Sequence, residues 1–116
     1  MKNTVKYVLQ FVLGYRRYLY VFALRKINSL KSDSKEKDFF KFLDLLKNDS
    51  SLILDVGANI GIMTFHLCKE FPKSMVHAIE PMPDNIAVLK RVIQKKEIEN
   101  VIVHEVAVGD HEGSVT

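Results

Sequence analysis

The sequence predicts an α/β fold in which parallel strands alternate with helices. Three short apolar segments, "SLILDV", "SMVHAIE" and "NVIVHEVAV", are separated by two longer segments with helical spacing. Alternation of this kind calls for a parallel sheet with right-handed crossovers. A second observation places something at one edge of that sheet. The first two strand segments each carry an acid at the carboxyl end, Asp55 and Glu80, and a small-residue loop follows the first of them at once.

The chain has 116 residues, enough for one small domain with one core. Hydrophobic content of 47% with 27% charged residues describes a globular chain rather than a disordered one. Cys68 is the single cysteine, so no internal disulfide forms, which fits a reducing, cytoplasmic compartment. His66, His77, His104 and His111 lack the paired spacing of a zinc site, and no metal is expected.

The net charge of +3 hides an asymmetry that divides the chain in two. Residues 1–32 hold seven Lys/Arg and no acid, whereas residues 33–116 hold ten Lys/Arg and fourteen Asp/Glu. The basic character therefore belongs to an N-terminal arm, 1–32, and not to the domain that follows it, 33–116.

Residues 4–27 of the arm predict one long helix. Tyr7, Phe11, Tyr15, Tyr18 and Phe22 recur at helical spacing and share a face. Lys6, Arg16 and Arg17 interrupt the apolar content, so the segment is neither a membrane span nor a signal peptide. The aromatic face reads as packing rather than nucleic-acid stacking, because it lies on a helix and not on a sheet platform. Three readings of the arm stay open: an accessory helix packed on the domain, a contact with a second copy, and a peripheral helix on an anionic membrane.

After the polar break "NSLKSDSKEKD", Asp33 and Glu36 resemble a capping box. The helix expected over 35–48 carries Phe39, Phe40, Phe42, Leu43 and Leu46 on one side, the pattern of a helix lying on a sheet. "SLILDV" then predicts a fully buried strand. "IGIMTFHLCKEF" predicts a helix with Ile60, Met63, Leu67, Cys68 and Phe71 inward, Cys68 being an inert core thiol. His77 falls inside the second strand as a hydrogen-bonded core residue. Pro81 ends that strand, and Pro83 opens a helix over 83–96 with Ile86, Leu89 and Ile93 inward.

Ligands of open α/β sheets bind outside the carboxyl ends of the strands, where the distinctive residues fall. Asp55 closes the first strand, and Gly57, Ala58, Asn59 and Gly61 form the turn into the next helix. The glycines allow positive φ or close backbone approach, and the helix start offers free N–H groups to an acceptor. Glu80, 25 residues after Asp55, is placed to accept hydrogen bonds from both hydroxyls of a ribose, as the acid at the second strand end does in dinucleotide folds. Asp55 alone reads as a cap and the glycines alone as turn residues; together with Glu80 they point to a nucleotide-like cofactor. The dinucleotide fingerprint G-x-G-x-x-G fails at Asn59 and Ile62, which counts against a nicotinamide-dependent oxidoreductase, and no P-loop is present.

The segment Asp55-Val56-Gly57-Ala58-Asn59-Ile60-Gly61, followed by Glu80-Pro81 and Pro83-Asp84-Asn85, resembles the first motifs of class I S-adenosylmethionine-dependent methyltransferases, and more narrowly the FkbM type. "VAVGDHEGSV" resembles that family's third strand and following turn. The resemblance covers 51–116. It implies a Rossmann-like methyltransferase fold with the strands ordered 3-2-1. It implies S-adenosyl-L-methionine as cofactor, with Asp55 and the Gly57–Gly61 loop at its methionine end and Glu80 at its ribose. The adenine would lie near Pro81 and the end of the third strand, at Ala107 or Val108. It also implies O-methylation of a hydroxyl on a small metabolite or sugar.

Three strands are fewer than the seven of that fold, so the sequence reads as the cofactor-binding half of a longer domain, with the first strand left at an open edge. No residue presents itself as the base that deprotonates the acceptor. The rival from another class is a non-catalytic α/β remnant bound to a membrane or a partner.

Overall fold

The computed structural model describes residues 2–46 and 52–109. The elements follow one another as α1 (Lys2–Leu13), α2 (Tyr15–Leu30), a 3-10 turn (Ser34–Glu36), α3 (Lys37–Leu45), β1 (Ile53–Val56), α4 (Ile62–Glu70), β2 (Val76–Ile79), α5 (Pro83–Lys95) and β3 (Val101–His104). Residues 47 and 48 of the expected third helix, residue 51 of the first strand and the segment 110–116 lie outside the described residues.

The three strands form one parallel sheet in the order β1-β2-β3, as the resemblance implied. Asp55 lies beside Ala78, and Ala78 beside Val103. That row, together with Ile53, Val76 and Val101, faces the helices. Leu89 of α5 packs on Ala58 and Ala78, with Ile93, Val101 and Val103 around them. A second cluster joins Leu30 of α2, Phe40 and Leu43 of α3, Leu67, Cys68 and Phe71 of α4, and Val76. Burying each large apolar side chain of this kind stabilises by roughly 1.5–3 kcal/mol. Asn100 closes the C-terminal end of α4, its amide donating to the carbonyls of Cys68, Phe71 and Ser74 at 3.0–3.1 Å.

The first strand is not fully buried. Leu54 is 58% exposed and Val56 60% exposed. Their row of the sheet, with His77, Ile79, Ile102 and His104, points away from α4 and α5. Parallel sheets are ordinarily covered on both faces, and the described helices cover one. His77 is hydrogen-bonded as expected, its Nδ1 lying 2.8 Å from Nε2 of His104, but it is only half-buried on this row. The third strand also stops at His104 rather than running to residue 108.

The arm departs from the single helix its spacing predicts. Gly14 takes φ 80° and ψ 155°, a conformation closed to other residues, and splits the segment into α1 and α2. The side of α2 that docks is not the aromatic one. Ala23 and Ile27 meet Ile60, Val88 and Val92, flanked by Leu19 and Tyr20. Arg91 stacks on the Tyr20 ring at 4.0 Å, and Arg16 Nε donates to Asp84 at 2.7 Å. The expected packing stripe is instead largely on the outside: Tyr7, Tyr15 and Phe22 are exposed and Phe11 is 91% exposed.

In α3, Phe40 and Leu43 are buried as expected, while Phe42, and Leu46 just after the helix, are exposed. Asp33 caps the 3-10 turn by accepting from the Lys35 N–H at 3.0 Å. His66 is buried between the edges of Phe40 and Phe65, and its Nε2 has no hydrogen-bond partner among the described residues. Burial holds its pKa below the ordinary histidine value, the Ile27 carbonyl acting weakly in the other direction.

Candidate functional site at the carboxyl ends of the strands

Asp55 is the third residue of β1 and is buried where the strand meets the loop. Its Oδ2 accepts from the Thr64 hydroxyl at 2.5 Å. Burial nevertheless pushes this carboxyl above the ordinary Asp value, and the Thr64 bond only partly opposes that. A carboxylate kept in the core at such a cost belongs more to a site than to a scaffold.

The loop owes its shape to three residues at positive φ: Gly57 at 74°, Asn59 at 53° and Gly61 at 94°. The two glycines serve different ends. At Gly57 a Cβ would meet nothing within 4 Å, so the backbone there faces open space that a ligand can approach. At Gly61 a Cβ would sit 2.9 Å from Leu89 Cδ1, so this glycine exists to let α4 lie against α5. Asn59 tolerates the left-handed region because its amide donates back to the Gly57 carbonyl at 2.9 Å. Ala58 is small for a packing reason, since its side chain is buried under the loop beside Ala78 and Leu89.

The loop is anchored to β2 and to the acid that follows it. The N–H groups of Gly57 and Ala58 both donate to the Ile79 carbonyl, at 2.9 and 3.0 Å. Glu80 is 3% exposed. Its Oε1 accepts from the Asn59 N–H at 2.8 Å, and its Oε2 accepts from the Met82 N–H at 3.1 Å and from the Asn85 amide at 3.3 Å. A carboxylate has about four acceptor positions, so these bonds leave roughly one for a ligand, and the long Asn85 contact is the easiest to exchange.

The sequence-predicted residues fall as follows. Asp55, the Gly57–Gly61 loop and Glu80 come together at one end of the sheet. Pro81 is exposed directly after Glu80. Ala107 does not end the third strand; it is exposed, three residues beyond His104. Glu105 occupies the strand end instead and pairs with Lys90 at 2.8 Å. Thr64 and Met82 complete the site and were not singled out by their sequence, whereas Asn85, from the Pro83-Asp84-Asn85 segment, turns its amide to Glu80. Thr64 carried one signal, a hydroxyl among apolar neighbours one turn after the glycine loop.

Cys68 is buried, and burial with the nearby Asp55 charge pushes its thiol up to about 12, which leaves it unreactive. No group of three or more His, Cys, Asp or Glu that could hold a metal occurs among the described residues. A hollow of about 750 Å³ lined by Pro72, Lys73, Met75, Glu99 and Asn100 lies at the amino ends of the strands, away from this chemistry.

No protein-family profile matches the chain. A curated relative, Methyltransferase 1 of Beauveria bassiana (strain ARSEF 2860), is 30% identical over 67 residues, covering 58% of this chain and 27% of the relative. Among solved structures, a coclaurine N-methyltransferase bound to N-methylheliamine and SAH superposes with a TM-score of 0.52 at 22% identity, over 66% of this chain and 24% of that one. PKMT2 from Rickettsia typhi in complex with AdoHcy gives a TM-score of 0.45 at 25% identity, over 56% of this chain and 13% of that one. The chain thus spans about a quarter of the length of the curated relative it matches. Its fold is Rossmann-like, of the methyltransferase kind: three parallel strands of one sheet with their helices.

Proposed function

We propose that the chain is the cofactor-holding part of an S-adenosylmethionine-dependent methyltransferase of the FkbM type, acting on a hydroxyl of a small metabolite or sugar. The observation that carries this reading is the bond between Glu80 and the Asn59 N–H. It makes the acid after β2 and the glycine loop after β1 one unit, as recognition of a ribose and an amino-acid moiety in a single ligand requires. The open space over Gly57 suits close backbone approach by such a ligand. The similarity to Methyltransferase 1 supports the methyltransferase part of the reading. The hydroxyl acceptor and the FkbM type rest on the D-x-G-A-N-x-G, E-P and P-x-N segments alone.

In this reading Glu80 accepts from the ribose, and the N–H groups at the start of α4, where Gly61 provides no side-chain cap, face the ligand carboxylate. Asp55, held by Thr64, faces the ligand ammonium. The cofactor supplies an electrophilic methyl on a sulfonium, and these residues orient it for in-line approach by the acceptor.

The test is calorimetric titration of the purified chain with S-adenosylhomocysteine, beside Gly57→Val and Glu80→Ala. Binding by the parent with a loss of about 10- to 100-fold in each variant is expected, Glu80→Ala removing a charged acceptor and Gly57→Val filling the open space that the ligand approaches. Absence of binding by the folded parent returns the unit to a non-catalytic scaffold.

A further inference from the structure

We propose that the outer face of the α1–α2 arm docks on a bilayer surface bearing anionic lipids. Because α2 uses Ala23 and Ile27 to reach the domain, its opposite face is turned outward. A groove of about 670 Å³ lies there between the two helices. Val5, Leu13, Val21 and Phe22 give it apolar walls, and Lys6 and Arg25 bring cations to them. Beside it, α1 presents its apolar side to solvent: Val5, Val8 and Phe11 follow at three-residue steps, with Tyr7 one turn before Phe11, and all four are exposed.

Charge selects the occupant. The seven Lys/Arg of residues 1–32 have no acid among them. Arg16, Lys26 and Lys31 pair with Asp84, Asp33 and Glu70 of the domain. No ion pair among the described residues engages Lys6, Arg17 or Arg25, which are exposed. A second copy of the same face would set these cations against themselves. An anionic bilayer offers phosphates to the cations and an interfacial layer about 5–10 Å deep to Phe11, Tyr7 and the valines. No described helix is long and apolar enough to cross the membrane, so the arm lies on the surface.

The experiment is flotation of the full chain with vesicles of phosphatidylcholine alone, or of phosphatidylcholine with phosphatidylserine. Parent, Lys6→Ala/Arg25→Ala, Phe11→Ser and a control, Lys73→Ala, are compared, with circular dichroism to establish folding. Binding to the anionic vesicles only, weakening with salt, is expected. Each cation removed should weaken it about fivefold, so the double variant falls about 25-fold. Phe11→Ser should also weaken it, and the control should match the parent. The proposal is overturned by a folded parent that ignores anionic vesicles, by equal binding to neutral ones, or by variants that bind like the parent. A dimer in sedimentation that Phe11→Ser dissolves, without vesicle binding, would assign the face to a second copy.

Discussion

Glu80 Oε1 and the backbone N–H of Asn59 meet at 2.8 Å, and through that bond the end of β2 sets the shape of the loop after β1. Replacing Glu80 by Ala leaves the Asn59 and Met82 N–H groups without their acceptor. A loss of about 1–3 kcal/mol in stability is expected, measured by urea denaturation. Asn85→Ala, which removes only the 3.3 Å contact, should cost well under half as much.

The two loop glycines predict different outcomes for the same substitution. Gly61→Ala adds strain at positive φ to a clash with Leu89, and should destabilise by about 2–4 kcal/mol. Gly57→Ala meets no neighbour and should cost about 1 kcal/mol of backbone strain. A double-mutant cycle separates the causes: in a Leu89→Ala background the Gly61→Ala penalty should shrink, and the Gly57→Ala penalty should not.

Asp55→Asn should raise the melting temperature at neutral pH while weakening binding of S-adenosylhomocysteine. The folded-state pKa of Asp55 is raised, so the native protein holds this proton more tightly than the unfolded chain does. Asp55 therefore favours the fold at low pH, and this contribution is lost as pH rises through the raised pKa. The amide keeps an acceptor for Thr64 without a buried charge. A variant less stable than the parent at pH 7 would contradict this account.

His66 acts in the opposite pH direction. Its folded-state pKa lies below the ordinary 6.5, so the unfolded chain binds the proton more readily. Stability from this group is complete above about pH 6.5 and falls as pH drops toward the folded-state value. Thermal melts from pH 7.5 to 5 should show this slope in the parent and a flatter one in His66→Phe, which keeps an aromatic ring between Phe40 and Phe65.

Much of the fold was legible in the sequence because its signals are local. The acid at each of two strand ends, the positive-φ positions in the glycine loop and the Pro83 helix start all follow from a few neighbouring residues. The arm was harder because α2 carries two stripes at helical spacing. Aromatic rings mark the stripe through Tyr15, Tyr18 and Phe22, yet the docking one runs through Leu19, Ala23, Ile27 and Leu30. Ala23, with no exposed surface, allows a close approach that hydrophobicity ranks low. β1 misled for a different reason. An apolar strand such as "SLILDV" states that both faces suit burial, but its composition cannot say which elements supply the cover. The Glu80 bonds to Asn59 and Met82 end on backbone N–H groups, which leave no mark in a sequence.

β1 pairs with β2 along one side only, and its other side carries no strand among the described residues. A strand added there would lie about 4.8 Å from β1. Ile53–Val56 would then serve two masters, setting the register of any growing sheet and holding Asp55 at the loop. Assembly at that edge and occupancy of the proposed cofactor site would be thermodynamically linked, each reporting on the other through the same four residues.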